Sequence, residues 1–381
     1  MTEKIFNFLR DQEPATPCLV VDLDVVRERY DALTQALPLA AVHYAVKANP
    51  APEVISVLKE KGANFDVASR AEIDLCLSLG IEPERLSFGN TIKKAKDIEH
   101  AYVNGVRVFA FDSEAELSKI AERAPGASVI CRILVSNKGA DWPLSRKFGC
   151  SEGMAYDLLL RARDLGLVPM GVSFHVGSQQ KNPDAWALAV EASSELFSKL
   201  EAEGVTLTTI NIGGGLPARY AEDVESVGTY ANAVMAAMTK NFGNYLPHMI
   251  VEPGRFLVGD AGIIHAEVIL VSKKAYEDDA RWVYLDIGRF NGLAETEGEM
   301  IKYPIRTDMG TGADDAVAKG PVILAGPSCD SVDILYQETP YELPMGLDTG
   351  DTVQIFATGA YTATYSTVGF NGFAPLTSYY V

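Results

Sequence analysis

One lysine stands where an apolar run of the sequence gives way to turn residues. The run 40–46 is mostly apolar, which is typical of a buried strand, and Asn49 with Pro50 ends it. Lys47 is therefore expected at the edge of the core, where an amine can lose its proton and form a Schiff base with an aldehyde cofactor. A solvated lysine is also common at a strand end, so this stretch alone leaves both interpretations open.

Further polar residues follow other apolar runs in the same way. In chain order the polar residues are Asp66, Ser69, Asn90, Asp112, Arg132, His175, Ser178, Glu252 and Arg255. Glycines with accessible backbone N–H groups follow the last two of these runs, namely Gly213, Gly214, Gly215 and Gly254. A structural scaffold does not require so many polar groups at the ends of its strands. Whether they meet in space depends on the elements that carry them.

Those elements alternate regularly between strand-like and helix-like segments. The apolar runs are 42–46, 64–68, 85–88, 106–111, 128–135, 170–176, 207–212 and 249–252. Capping boxes at Ser69–Glu72 and Ser113–Glu116 begin helices directly after two of these runs. Eight strands alternating with helices over about 220 residues predict an α/β fold, a (β/α)8 barrel of the TIM type, with a doubly wound open sheet as the alternative.

The pattern changes after about residue 262. Strand-like runs at 263–271, 281–286, 321–325 and 352–357 are separated by glycine and proline turns without long helices, which predicts a second, mostly β-sheet domain. The strand near residues 17–23 is expected to join it, because a closed barrel has no free edge. We therefore predict a barrel domain at 25–262 and a β-sheet domain formed by 1–24 and 263–381.

Two neighbouring loops suit an anion. Gly213, Gly214 and Gly215 follow the seventh run, where backbone N–H groups without covering side chains can approach a phosphate. Arg255 follows the eighth run and can add a forked, charge-assisted contact. Barrel enzymes commonly bind phosphate at these loops, which favours a phosphate site over a plain tight turn.

Glu252 ends a strongly apolar run, where a carboxylate needs a cationic partner. The pyridine nitrogen of pyridoxal phosphate would serve, because a carboxylate beside it keeps the ring protonated and able to accept electrons. A salt bridge to an arginine or lysine is the alternative. His175 could stack on such a ring or be an ordinary core histidine, and Ser178 could donate to the phosphate.

The second predicted domain carries two further candidate stretches. Cys329 and Asp330 are adjacent in a turn, where the thiol is either a small buried group or a proton donor and nucleophile. Tyr361 offers a hydroxyl in a turn that begins with glycine. For the aromatic residues of the stretch 370–373, core packing is the preferred interpretation.

The composition narrows the functional classes. A net charge of −18 argues against nucleic acid binding and could favour the approach of cationic small molecules. The five cysteines are scattered without zinc-type spacing, so we predict no metal site and reduced thiols. No apolar run is as long as a membrane span, and the N-terminus lacks signal-peptide features, so a cytoplasmic protein without a membrane partner is expected.

From about residue 15 to 375 the sequence resembles the fold-type III, or group IV, pyridoxal-phosphate decarboxylases, within them the ornithine decarboxylase branch with its bacterial ornithine and lysine/ornithine enzymes. The matching motifs are Tyr44-Ala-Val-Lys-Ala-Asn, Phe65-Asp-Val-Ala-Ser-Arg-Ala-Glu, Phe111-Asp-Ser-Glu-Ala-Glu-Leu, Leu144-Ser-Arg-Lys-Phe-Gly, Ser173-Phe-His-Val-Gly-Ser, Ile212-Gly-Gly-Gly, Glu252-Pro-Gly-Arg, Gly326-Pro-Ser-Cys-Asp and Gly359-Ala-Tyr-Thr. Each motif is short, but their common order is specific. The resemblance implies an alanine racemase-like pair of domains.

The resemblance also implies roles for the residues of the first domain and for one of the second. Lys47 would form the Schiff base with pyridoxal 5'-phosphate, Glu252 would pair with the pyridine nitrogen, and His175 would stack on the ring. The phosphate would be held by Ser178, Gly215, Arg255 and Tyr361, and the cofactor site would be lined by Asp66 and Arg132.

Further implied roles concern the substrate and the assembly. Cys329 would return a proton to the substrate α-carbon, and Asp330 would bind the far ammonium. In this family both come from the other subunit of a head-to-tail homodimer. Lys147 and Asp333 resemble residues that form a salt bridge across that interface.

These roles predict decarboxylation of L-ornithine to putrescine, with decarboxylation of L-lysine to cadaverine as a second candidate reaction. Diaminopimelate decarboxylase is the enzyme alternative, although Asp330 would repel a distal carboxylate. Alanine racemase fits less well, because that family places an arginine at the pyridine nitrogen. A decayed, non-catalytic homologue would have lost Lys47 or the Cys329-Asp330 pair. Asp308 is a candidate for a second acid at the far ammonium, with a solvated loop residue as the alternative.

Overall fold

A computed structural model describes residues 3–142, 147–307 and 317–381. The chain forms two compact units. One, called here the barrel unit, comprises Arg27–Pro217 and Val224–Phe256; the other, the sheet unit, comprises Met1–Val26, Ala218–Asp223 and Leu257–Val381. The prediction of two domains with boundaries at residues 25 and 262 stays a prediction. Asp308 and residues 144–146, the first half of the Leu144–Gly149 motif, lie outside the described residues.

The strands are β1 Cys18–Val21, β2 Ala40–Ala45, β3 Asn64–Val67, β4 Leu86–Phe88, β5 Val108–Phe111, β6 Ser128–Arg132, β7 Ala140–Trp142, β8 Val168–Ser173, β9 Ser178–Gln180, β10 Thr209–Asn211, β11 His248–Val251, β12 Gly262–Ser272, β13 Arg281–Leu285, β14 Ile305–Thr307, β15 Lys319–Ala325, β16 Ile334–Pro344, β17 Thr352–Phe356 and β18 Thr377–Tyr380. The α-helices are α1 Glu3–Gln12, α2 Leu23–Ala36, α3 Pro52–Glu60, α4 Arg70–Ser78, α5 Ala95–Val103, α6 Glu114–Arg123, α7 Glu152–Asp164, α8 Ala185–Ala202, α9 Val227–Phe242 and α10 Arg255–Val258. None of these described helices is long and apolar enough to cross a membrane.

Eight parallel strands close into a barrel, which confirms the predicted fold class. Their order is β2-β3-β4-β5-β6-β8-β10-β11, and β11 pairs with β2 to complete the ring. Helices follow most of these strands directly, and serine caps begin several of them. Ser69 and Ser113 accept hydrogen bonds from the backbone N–H groups of Glu72 and Glu116, as their spacing predicts.

The end of β2 positions Lys47. The strand stops at Ala45, and Val46–Ala48 form a single 3-10 turn that carries Lys47. Val46, expected within the strand, therefore already belongs to the turn. The Ala45 N–H donates to the Pro253 carbonyl at 3.1 Å, which ties this end of β2 to the loop after β11.

The sheet unit contains the predicted mostly β structure. Its sheet order is β14-β17-β12-β13-β15-β16, and β1 adds to β12 in antiparallel fashion with β18 alongside it. The expectation that the N-terminal strand joins this sheet is confirmed. Helix α1 covers a core cluster that contains Ile5, Cys18, Val20, Ile263 and Phe356.

Several strands were not predicted. β7, β9 and β14 have three residues each, and none of them contains a continuous apolar run. β16 is long, but its sequence ILYQETPYELP holds glutamates and prolines in place of alternation. It extends through partly exposed positions, where no hydrophobic pattern is required.

Glycine at position 171 is required by close strand packing in the barrel. A Cβ built there would lie 1.9 Å from the carbonyl oxygen of Thr209 on the neighbouring strand β10. We expect Gly171→Ala to destabilise the fold by about 1–3 kcal/mol, because the strands must separate. Gly153→Ala in α7, where a Cβ meets nothing within 4 Å, should instead stabilise by about 0.5–1 kcal/mol. Thermal unfolding of the two variants tests this, and equal midpoints would contradict it.

Candidate active site

A cavity of about 240 Å³ lies in the barrel unit at the carboxyl ends of the barrel strands. It is lined by Lys47, Asp66, Ala68, Gly89, Asn90, Arg132, Phe148, His175 and Glu252. Five of these residues were predicted as site residues of the first domain. The structure therefore brings together side chains that are separated by as much as half the sequence.

Lys47 and Asp66 form an ion pair in this cavity. Lys47 Nζ lies 3.4 Å from Asp66 Oδ2, and the lysine side chain is 51% exposed whereas the aspartate is buried. Asp66 Oδ1 is also buried and has no hydrogen-bond partner among the described residues. Gly89 packs against it so closely that a Cβ would lie 1.9 Å from that oxygen. An amine and an unsatisfied acceptor thus face the same space.

Glu252 follows β11, and its carboxylate is held by a neutral side chain. Asn211 Nδ2 donates to Glu252 Oε1 at 2.5 Å, while Asn211 Oδ1 accepts from the Gly213 N–H at 2.9 Å. Burial and, to a lesser extent, the negative charge of Asp66 raise the pKa of Glu252 to about 7, against the lowering effect of the Asn211 hydrogen bond. A desolvated carboxylate in this state favours a cation placed beside it.

The glycine loop after β10 presents two backbone donors. The N–H groups of Gly214 and Gly215 donate to no other described residue. Gly213 is different, because its N–H is taken by Asn211, which corrects the prediction that all three donors are bare. A Cβ at Gly214 or Gly215 would lie 2.7 or 2.6 Å from backbone carbonyl oxygens. The loop must therefore be glycine, and its free donors suit an anion.

Arg255 and Ser178 meet beside this loop. The buried Arg255 guanidinium donates from Nε and Nη2 to Ser178 Oγ at 3.3 and 3.2 Å. The N–H of Gln180, two residues beyond the serine on β9, donates to the Gly215 carbonyl at 2.9 Å. Residues from three loops, predicted separately as phosphate ligands, are thus connected in one network, and Gly254 lies directly before Arg255 in the loop after β11.

His175 is a neutral ring in this cavity. Burial, with the positive charges of Arg132 and Lys47, keeps its pKa well below the usual range. His175 Nδ1 accepts from the Gly177 N–H at 3.1 Å, so the proton of the neutral ring is on Nε2. A neutral aromatic ring can pack on a cationic ring without charge repulsion.

Arg132 and Phe148 form another wall. The Arg132 guanidinium lies over the Phe148 ring at 5.4 Å from its centroid. Asp112 holds this wall from behind, since its Oδ2 accepts from the Gly149 N–H at 2.7 Å and from Thr91 Oγ1 at 2.8 Å. Asp112, one of the polar residues that follow the strands, therefore supports the cavity wall through these two hydrogen bonds.

Cys329, Asp330, Asp333 and Tyr361 belong to the sheet unit. Cys329 and Asp330 are both exposed in a tight turn. The turn is closed by the Val332 N–H donating to Asp330 Oδ1 at 3.0 Å. Tyr361 is half-buried and has a left-handed backbone, with φ of 55°. The thiol and the carboxylate predicted to act on the substrate are thus presented at a surface.

Asp333 supports that turn from inside. Its buried carboxylate accepts from the Arg289 N–H at 2.8 Å, the Ser328 N–H at 3.1 Å and the Ser328 hydroxyl at 2.6 Å. These contacts support a role for Asp333 in positioning the turn that carries Cys329 and Asp330. The predicted salt bridge between Asp333 and Lys147 of another subunit stays a prediction, and Lys147 itself is exposed beside the Phe148 ring.

Three site residues were missed by sequence reasoning. Asn211 left a visible signal, because it is a polar residue inside an apolar run and directly before the glycine loop. Phe148 and Gly89 left none, since the reason for each is a contact with a residue distant in sequence.

Comparison with known proteins points to one family. A family model described as "Pyridoxal-dependent decarboxylase, pyridoxal binding domain" matches residues 23–259. The lysine/ornithine decarboxylase of Selenomonas ruminantium is 36% identical over 375 residues, which is 98% of this chain and 91% of that protein.

Solved structures agree. The arginine decarboxylase of Paramecium bursaria Chlorella virus, bound to agmatine, has a TM-score of 0.90 at 30% identity, and the match covers 100% of both chains. The lysine/ornithine decarboxylase of Vibrio vulnificus, complexed with putrescine, has a TM-score of 0.87 at 30% identity and covers 99% of this chain and 97% of that one.

Because an amine and a desolvated carboxylate share a cavity beside an anion-binding loop, the fold and the site define a barrel enzyme of the pyridoxal phosphate class. The chain belongs to the pyridoxal-dependent decarboxylase family. The predicted family and cofactor are thereby confirmed.

The residues of the barrel unit fit this cofactor. Its ring nitrogen is a cation that Glu252 can hold, and the unpartnered oxygen of Asp66 can accept a further hydrogen bond. Its phosphate suits the free N–H groups of Gly214 and Gly215. Its aldehyde suits the exposed amine of Lys47.

The pKa of Glu252 predicts how stability depends on pH. The folded state holds a proton on this carboxyl up to about pH 7, whereas the unfolded chain releases it near the ordinary value of 4.5. The folded state therefore binds more protons between these values, and its stability falls as pH rises from about 4.5 to 7, by at most about 3 kcal/mol. Glu252→Gln should remove this loss.

Urea unfolding of the cofactor-free protein at pH 4.5, 6 and 8 measures the effect. The advantage of Glu252→Gln over the original protein should grow with pH and level off above about pH 7. Glu201→Gln, at an exposed carboxylate in α8, is the matched control and should show no such trend. An advantage that is the same at all three pH values would contradict the assignment.

Proposed function

We propose that this protein decarboxylates L-ornithine to putrescine with pyridoxal phosphate, and also accepts L-lysine to give cadaverine. The observation that carries the proposal is the shared cavity of Lys47 and Glu252, one the amine and the other the acid that this chemistry needs. The names of the relatives support the substrate class, since they include lysine/ornithine decarboxylases and one was solved with putrescine.

When bound, pyridoxal phosphate supplies an aldehyde that condenses with amines and a protonated ring that accepts the electron pair left by carbon dioxide. Lys47 Nζ, exposed in the cavity, is the amine that would hold the aldehyde. Glu252 would hold the ring nitrogen in its protonated form, and the neutral His175 would contact the ring. In the barrel unit the phosphate would be held by Ser178, Gly214, Gly215 and Arg255, with Gly213 and Gly254 shaping their loops, and the family resemblance adds Tyr361.

Cys329 completes the reaction by delivering a proton. Its S–H bond breaks, the proton goes to the α-carbon that has lost carbon dioxide, and the electron pair of the broken bond stays on sulfur. Solvent returns the proton before the next turnover. Asp330, adjacent in the turn, binds the far ammonium of the substrate and so favours diamino acids.

Asp330 also decides between substrates. A carboxylate at the far end of the substrate would be repelled, so diaminopimelate is a poor candidate. Ornithine and lysine differ by one methylene, which a pocket distinguishes by only about 1–3 kcal/mol. Arginine enters the comparison because one structural relative is an arginine decarboxylase bound to agmatine.

The complete site requires a homodimer in this proposal. Cys329 and Asp330 are exposed on the sheet unit, as residues are that act in a partner's site. The family resemblance supports the same arrangement, a head-to-tail dimer in which each subunit supplies these residues to the other.

A product assay tests the substrate. The purified protein loaded with pyridoxal phosphate is incubated with ornithine, lysine, arginine or diaminopimelate, and amines are identified by mass spectrometry. We expect putrescine as the main product, with cadaverine from lysine at a lower rate. Lys47→Ala should reduce turnover by more than about 10³-fold and leave nothing for borohydride to trap. Lysine formed from diaminopimelate as the sole product would overturn the proposal.

Mixing two inactive variants tests the shared site. Lys47→Ala and Cys329→Ala are each expected to be nearly inactive, because each lacks one half of every site. After exchange of subunits, half of the dimers are mixed and each has one intact site, so about a quarter of the original activity should return. A mixture that stays as inactive as its components would show that both residues act within one chain.

A further inference from the structure

The thiol of Cys329 is contacted by one asparagine of the same unit, Asn371. The Cys329 N–H donates to Asn371 Oδ1 at 3.0 Å, and Asn371 Nδ2 lies 3.4 Å from Cys329 Sγ. Both distances are hydrogen-bonding distances, the second one to sulfur. A single carboxamide therefore contacts the main chain and the side chain of the same cysteine.

The orientation of this carboxamide follows from the backbone contact. Only an oxygen can accept the Cys329 N–H, so the NH2 group of Asn371 must face the sulfur. The sulfur is then the acceptor of an N–H bond. Such a bond is stronger to a thiolate than to a thiol, because the donor faces negative charge.

The local fold explains why the residue is asparagine. Asn371 has a left-handed backbone with φ of 51°, and Gly369 and Gly372 on either side have φ of 73° and 80°. Asparagine is one of the few residues besides glycine that adopts this conformation readily. The segment is anchored by the Phe370 ring, which packs on Phe290 with centroids 4.6 Å apart. The stretch Phe370–Phe373 therefore contains an aromatic ring that packs on Phe290 and an asparagine side chain that contacts Cys329.

We propose that Asn371 is a positioning residue for Cys329, directing its sulfur and stabilising the thiolate that remains after the proton has been delivered. The proposal rests on the proposed role of Cys329. When the S–H bond breaks and the α-carbon gains the proton, the negative charge on sulfur is met by the Asn371 N–H. No charged residue is needed, so the thiol remains able to take up a proton again.

A role in loop closure alone makes a different prediction. Loop closure needs only the Oδ1 acceptor, whereas the proposal needs the donor that faces sulfur. Asn371→Asp keeps the size, the backbone preference and an acceptor for the Cys329 N–H, but places a charged oxygen at the sulfur. Asn371→Gly keeps the backbone preference and removes both contacts. Asn7→Asp makes the same charge change in α1, where the Asn7 side chain contacts Arg10 and not Cys329.

Alkylation of Cys329 by iodoacetamide measures the effect without relying on turnover. Cys329 is the exposed cysteine, since the other four are buried, and mass spectrometry locates the label. With the full chain, cofactor-free and cofactor-loaded, Asn371→Asp should slow alkylation at pH 7 by about 10-fold or more, and Asn371→Gly by less. At a pH high enough to ionise the thiol fully, the rates should converge. Asn7→Asp should react like the original protein.

Turnover supplies the second readout. Asn371→Asp should lower kcat by about 10-fold with little change in KM, because it weakens proton delivery and not substrate binding. Alkylation at the original rate at pH 7, or an equal slowing at every pH, would overturn the proposal in favour of loop closure. Full turnover by Cys329→Ala is a separate result. It would contradict the proposed delivery of a proton by Cys329. The alkylation rates would still show whether the Asn371 side chain acts on the Cys329 sulfur.

Discussion

The desolvated carboxylate of Glu252 is the constraint on which the rest of the barrel site depends. Its surroundings raise its pKa to about 7, so an empty site carries an unfavourable charge or a proton. A cationic ring removes that cost, and binding is therefore favoured by the same desolvation that weakens the unbound protein. The closed barrel makes this possible, because it places the carboxylate directly after β11, among the strand ends that line the cavity.

The glycine loop and the carboxylate are one structural unit. Asn211 is hydrogen-bonded to both, so a shift of the loop would also move the acid. The distance between an anion held by the loop and a cation held by Glu252 is thereby fixed by the folded barrel. Lys47 is placed by an independent contact, the hydrogen bond from Ala45 to Pro253, which joins the first barrel strand to the loop that begins with Glu252.

The structural elements that form a repeating pattern in the sequence were predicted, and the elements and contacts without such a pattern were missed. Eight alternating runs indicated the barrel, and the rule that chemistry lies at the carboxyl ends of its strands selected Lys47, Asp66 and Glu252. The short strands β7, β9 and β14 contain no continuous apolar run, and β16 has no alternation because much of it is partly exposed. The engaged N–H of Gly213 and the buried position of Asp333 depend on contacts between distant residues, which no local pattern encodes.

Two asparagines follow the same physical logic in separate units. Each uses Oδ1 to accept a backbone N–H, which fixes the amide, and directs Nδ2 at a group that carries or receives negative charge: Glu252 Oε1 for Asn211 and Cys329 Sγ for Asn371. A lysine or arginine in either place would form an ion pair and neutralise the acid permanently. A neutral donor stabilises the anion by a smaller amount, which leaves the carboxylate available to a ring cation and the thiol able to exchange its proton.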